Sequence, residues 1–119
     1  MRHIPFDELM SANGVHTSGA PGLDLTWVQG PTTSDELDVG IVKVAAGAQT
    51  PPHSHHKGQV IVGITGQGFV ELDGSRVIVN QGDVVICPAG EFHVHGAVED
   101  QSWEHLTVST GTHGGAPSA

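Results

Sequence analysis

The sequence predicts an all-β protein, a closed barrel or sandwich of the jelly-roll kind, on three observations. Seventeen glycines and seven prolines are spread along 119 residues without an internal repeat, which signals many turns between short elements. Alternating or β-branched runs of four to eight residues recur between those turns, as short strands do. So many short strands leave edges that closure into a barrel or double-sheet packing manages. A chain of this length suits one domain with a single core.

The elements follow in order. Residues 1–22 are expected to form an N-terminal segment with a helical turn over 5–10, long enough to reach a partner subunit. Strand character begins with the alternation Leu23-Asp-Leu-Thr-Trp-Val28 and resumes over 37–44. Pro51-Pro52 then rules out regular pairing and stiffens the approach to His53. Residues 59–65 are β-branched, Gly66-Gln67-Gly68 turns the chain, 69–72 is a short strand, and Asp73-Gly74 reads as a tight hairpin into 76–79. Further strands are expected over 84–87, 92–98 and 103–109, with corners at Gln81-Gly82-Asp83 and Pro88-Ala89-Gly90. The barrel is thus placed at 23–110, and the Gly-, Pro-, Ser- and Ala-rich residues 111–119 are expected to be a flexible tail.

Charge and cysteine content exclude several function classes. Four basic against thirteen acidic residues give a net charge of −9 with histidine neutral, which repels nucleic-acid backbones and anionic membrane surfaces. No run is long and apolar enough to span a bilayer, and residues 1–10 lack the apolar core of a signal peptide. A cytoplasmic protein with neither a nucleic-acid nor a membrane partner is the expectation. The single cysteine, Cys87, closes the run Val84-Val85-Ile86-Cys87, so no intrachain disulfide can form and a buried thiol is expected.

Nine histidines in so short a chain exceed what structure alone asks for, and histidine is the commonest transition-metal ligand. In an extended segment His53 and His55, two residues apart, project from one face. Gln59 has the same parity. His93 lies far along the chain behind the Pro88-x-Gly90 corner, and one distant ligand closing a local pair couples a metal site to folding. Three imidazoles and an amide oxygen leave coordination positions open for water, a bidentate substrate, or substrate and dioxygen. Mn, Fe, Ni, Co, Cu or Zn all suit such a divalent site, with Mn or Fe foremost. Gln59 reads either as a ligand or as a core amide beside a three-histidine site.

The pattern Gly47-x5-His53-x-His55-x3-Gln59-x6-Gly66, followed after fifteen residues by Gly82-x5-Pro88-x-Gly90-x2-His93, resembles both signature motifs of the cupin superfamily. The resemblance covers roughly residues 47–97 and implies a double-stranded β-helix with a metal in the barrel. Two positions depart from the family pattern: Gln59 stands where a glutamate ligand is usual, and Ala97 where an asparagine closes the second motif. An uncharged ligand set leaves a divalent ion its full charge, making a stronger Lewis acid that favours anionic forms such as enolates or carboxylates. The stretch from Pro88 to Ala97, with Glu104-His105-Leu-Thr-Val108, further resembles small bacterial cupins related to carboxymuconolactone decarboxylases and manganese cupins with hydroxynitrile lyase activity.

His105, ahead of His95, is the expected proton carrier, since the strand parity of each allows it to line the cavity. Trp103, Phe69 and Ile61 are the expected substrate-pocket residues. His56 and Lys57 read as solvated residues at the mouth, and no role follows for His3, His16 or His113. The leading reading is a metal-dependent dioxygenase, isomerase or lyase acting on a small oxygenated substrate. The competing one is a non-catalytic module that captures a small molecule through its metal. A homodimer is expected because exposed edge strands in such barrels pair.

Overall fold

A computed structural model describes residues 1–11, 13–32 and 35–110; the tail expectation for 111–119, and His113 within it, lie outside the described residues. The chain forms α1 (Phe6–Met10), β1 (Val15–Ser18), β2 (Leu23–Gln29), β3 (Leu37–Val44), β4 (Gln59–Gly66), β5 (Gly68–Leu72), β6 (Ser75–Val79), β7 (Val84–Cys87), β8 (Val94–Ala97) and β9 (Trp103–Thr110). Two antiparallel sheets result, one of six strands in the order β1-β2-β3-β9-β4-β7 and one of three in the order β6-β5-β8. This is the jelly-roll arrangement that the turn spacing predicts.

Alternation decides which side chains face inward. In β9 the buried residues are Trp103, His105, Thr107 and Ser109, every second position, as the two-residue strand period requires. The interior between the sheets holds Val42, Val44, Ile61, Val70, Val79, Cys87, Ala97 and Trp103. Gly68 is glycine because the Trp103 indole rests on it: a Cβ there would stand 2.0 Å from Trp103 Cδ2. The hairpin joining β5 to β6 turns on Asp73 at φ 51° and Gly74 at φ 77°, the paired positive φ of a type I′ turn, which matches the twist of the flanking strands.

Two features extend beyond the sequence reading. β1 pairs in register with β2, Val15 opposite Trp27 through Ser18 opposite Asp24, so the sheet begins inside the segment read as lying outside the barrel. Residues 48–53 run beside β8, with Gln49 opposite Gly96 and His53 opposite His93. His53 and His93 exchange both backbone hydrogen bonds, at 3.0 and 2.9 Å, and Ala97 donates to Ala48 at 2.9 Å. The Pro51-Pro52 pair breaks this segment's ladder without detaching it. That contact brings the two histidine-bearing segments together.

Candidate metal centre

Strand pairing turns a sequence separation into a contact. His53 sits directly opposite His93, His55 follows two residues later with the same parity, and His95 does so on β8. Their rings gather around His53: centroid distances from it are 5.0 Å to His55, 4.6 Å to His93 and 5.0 Å to His95. One nitrogen from each of His53, His55 and His93 lies within 4.8 Å of the others. Metal–imidazole bonds of ~2.1 Å place ligand nitrogens about 3–4 Å apart, so a small inward movement completes the set.

Backbone carbonyls orient two of these rings. His53 Nδ1 donates to the Pro51 carbonyl at 2.9 Å and His93 Nδ1 to that of Glu91 at 3.1 Å. Each Nε2 therefore carries its lone pair inward, the arrangement that fixes a metal ligand's tautomer. His93 Nε2 is buried and has no hydrogen-bond partner among the described residues. A buried lone pair without a partner is costly, and a cation satisfies it. Burial, and then the nearby His53, hold the His93 ring below the ordinary imidazole pKa, against the raising effect of the Glu91 carbonyl. A neutral ring is the form that binds metal. The residues present fit a divalent ion held by these three imidazoles.

Gln59, buried at the start of β4, donates its amide nitrogen to Thr107 Oγ1 at 2.8 Å. That bond orients the amide. A cavity of about 230 Å³ adjoins the cluster and includes His53, His55, Gln59, His95 and Thr107 in its wall. The rest of its lining includes the apolar or small residues Gly19, Ala20, Leu23, Leu25 and Val42. Among the described residues that line the cavity, none is an aspartate, glutamate, lysine or arginine.

The other predicted site residues fall in two layers. His95 lines the cavity, and its Nε2 lies 3.3 Å from His53 Nε2. Because the His53 nitrogen carries a lone pair, His95 donates; a cation on that lone pair would displace this hydrogen bond. His105 stands one layer behind, its centroid 5.6 Å from His95 and 4.1 Å from Trp103, and is fully buried. Trp103, Phe69 and Ile61, expected to shape the pocket, lie elsewhere. Ile61 and Trp103 pack in the apolar core. Phe69 precedes Val70, which pairs with His95 on the inner face, so its ring faces outward beneath the Arg76 guanidinium, 3.6 Å from the ring centroid. Lys57 bonds to Asp35, and His56 is exposed. The wall residues Leu23, Leu25 and Val42 were missed; strand alternation marks them as inward-facing, but only the order β2-β3-β9-β4 brings them into one cavity with the histidines.

Burial has a pH consequence. It depresses His105 to about 3 and carries His95 well below the usual imidazole range, where the neighbouring rings of His105, His53, His93 and His55 lower it further. In the unfolded chain both protonate near pH ~6.5. Below that pH the unfolded state binds more protons than the folded one, so stability is full above it and falls as acid is added. Each ring should contribute a loss of about 1.4 kcal/mol per pH unit below ~6.5, continuing toward the folded-state value. Urea unfolding of chelated protein should therefore show a midpoint that drops steadily between about pH 7 and 5. A flat profile would mean that these rings titrate normally.

A family described as "Cupin domain" matches residues 40–109. An (R)-mandelonitrile lyase from Granulicella tundricola is 32% identical over 105 residues, covering 80% of this chain and 79% of that protein. Among solved structures, a cupin-like protein from Thermotoga maritima superposes with a TM-score of 0.75 at 31% identity, covering 89% of this chain and 83% of the other. The polyketide cyclase RemF from Streptomyces resistomycificus also gives 0.75, at 20% identity, over 98% of this chain and 82% of its own; at that identity it speaks for the fold alone.

Proposed function

This chain belongs to the cupin family, and we propose that it is a metal-dependent lyase that cleaves small α-hydroxynitriles to an aldehyde or ketone and cyanide. The observation that carries this reading is the convergence of His53, His55 and His93 beside a small cavity that His53 and His55 line together with apolar residues. The mandelonitrile lyase relative supports the reaction class. A divalent cation held there would supply Lewis acidity toward the substrate oxygen.

The chain's own residues supply the rest. A cavity of about 230 Å³ holds roughly eight molecules of water at ~30 Å³ each, which suits a compact substrate with one polar end. Leu23, Leu25 and Val42 receive the hydrocarbon part, and the absence of a charged side chain among the described wall residues favours a neutral substrate. His95 is the ring beside the metal ligands, neutral because it is buried. With its proton on Nδ1 it accepts the substrate's hydroxyl proton at Nε2. The carbon–carbon bond to the nitrile then breaks, its electron pair leaves as cyanide, and His95 returns the proton to give hydrogen cyanide, so atoms and charge balance. His105, behind His95, supports that ring from a buried position and does not line the cavity.

Metal-replete protein mixed with aromatic and short aliphatic α-hydroxynitriles should release aldehyde, followed by ultraviolet absorbance, and chelated protein should not. Thermal stabilisation by these compounds without turnover would replace the proposal with a metal-anchored binding module.

A further inference from the structure

Part of the cavity beside the histidines is built by a turn that lies ahead of the cupin match. That match begins at residue 40, and the lining residues His53, His55, His95 and Thr107 fall within it, whereas Gly19 and Ala20 do not. Ala20-Pro21-Gly22-Leu23 joins β1 to β2. Leu23 donates its backbone N–H to the Ala20 carbonyl at 3.0 Å, proline stands second, and Gly22 takes φ 83°, the positive φ that the third position of a type II turn requires. The turn is also seated on its surroundings. Ala45 donates to the Gly22 carbonyl at 2.8 Å, and a Cβ on Gly22 would stand 2.7 Å from Ala48 Cβ. On the strand side β1 pairs in register with β2, and Trp27 Nε1 donates to Thr17 Oγ1 at 3.0 Å. Backbone bonds and packing therefore fix where Ala20 stands, whatever its own side chain.

We infer that this turn, through Gly19 and Ala20, sets the largest substrate the cavity admits, an α-hydroxynitrile bearing a single aromatic ring. The hydroxynitrile end rests on the reaction proposed above; the size limit rests on the cavity alone. Gly19 is exposed and Ala20 half-buried, whereas His55, Gln59, His95 and Thr107 in the same lining are buried, so the turn stands where the cavity opens. Its two residues are the smallest of the described lining, and the room at that point exists because they lack bulk. Leucine in place of Ala20 adds three carbon atoms, each about the ~30 Å³ share of a water molecule, and takes roughly 90 Å³ from a cavity of about 230 Å³. What is left holds a short chain and excludes a ring. Gly19 acts on the same wall, since a Cβ there would meet Leu23 Cβ at 3.3 Å. One methylene in an apolar pocket changes kcat/KM by about 10–200-fold, so three carbons should carry a selectivity of at least ~10-fold.

Two readouts on the full chain test this. Titration calorimetry with benzyl alcohol, a neutral single-ring probe, should show binding to wild type and at least ~10-fold weaker binding to Ala20→Leu. The ratio of kcat/KM for an aromatic over a short aliphatic α-hydroxynitrile should fall by at least the same factor. Circular dichroism checks that the variant folds, and if Ala20→Leu does not, Gly19→Val should show both losses. Weakened benzyl alcohol binding in a protein that turns over no hydroxynitrile would leave the size limit standing and remove the proposed reaction. Turnover with an unchanged ratio would do the reverse. A wild type that binds no benzyl alcohol, or folded Ala20→Leu and Gly19→Val proteins that bind it as well as wild type, would overturn the size limit.

Discussion

Replacing His93 with alanine should remove stoichiometric metal and turnover together. Metal analysis of protein purified without chelators should fall from about one ion per chain to below about a tenth, and the α-hydroxynitrile reaction by at least ~10³-fold, about 4 kcal/mol of transition-state stabilisation. The size of the effect follows from where His93 stands. His53 and His55 are neighbours on one segment and remain a pair in any variant; within the three-imidazole set only His93 comes from the second segment, opposite His53. Losing it leaves that set two nitrogens, too few for tight binding of a divalent ion at an open site. The loss also appears in stability. An ion that binds only the folded state adds ~2.7 kcal/mol at a hundred times its dissociation constant, so metal should raise the wild-type unfolding midpoint and leave that of His93→Ala unmoved. A variant that retained one ion per chain would show that the three imidazoles are not the binding set.

Which parts of this site could be read from the sequence depends on how local the information is. The pairs His53/His55 and His93/His95 are two-residue spacings, and strand parity alone puts each on one face. The hairpin at Asp73-Gly74 is equally local, because a two-residue loop with paired positive φ selects those residue types. Phe69 shows where parity fails. It alternates as an inward residue could, but the register that pairs Val70 with His95 sets its face, and register is a tertiary fact. β1 was missed because four residues set between Asn13-Gly14 and Gly19 are too short a run to read as a strand, and its edge pairing with β2 decides it. The apolar cavity wall is the least local feature, assembled from the turn before β2, from β2 itself and from β3.

Substituting glutamine for His95 should slow turnover by about 10²–10³-fold, within the span attributed to a positioned general base, while the metal content stays at one ion per chain. The distinction matters because His95 Nε2 lies 3.3 Å from His53 Nε2, near enough for a fourth ligand or for a proton carrier. Glutamine keeps a polar group of similar reach in the cavity and removes the capacity to accept a proton, so a rate loss without metal loss assigns His95 to proton transfer. Loss of metal with the rate would assign it to the ligand set. His105→Gln supplies the comparison. His105 is fully buried behind His95, with Trp103 4.1 Å from it on another side, so its replacement should disturb packing and the orientation of His95 and lower the rate by about tenfold. The pH profile separates the two effects: a base that acts in turnover produces an acidic limb that vanishes in His95→Gln, whereas His105→Gln lowers the whole profile and keeps the limb, since burial above all sets the His95 ring's low affinity for protons. If His105→Gln abolished the limb and His95→Gln left it intact, the proton would travel through the deeper ring.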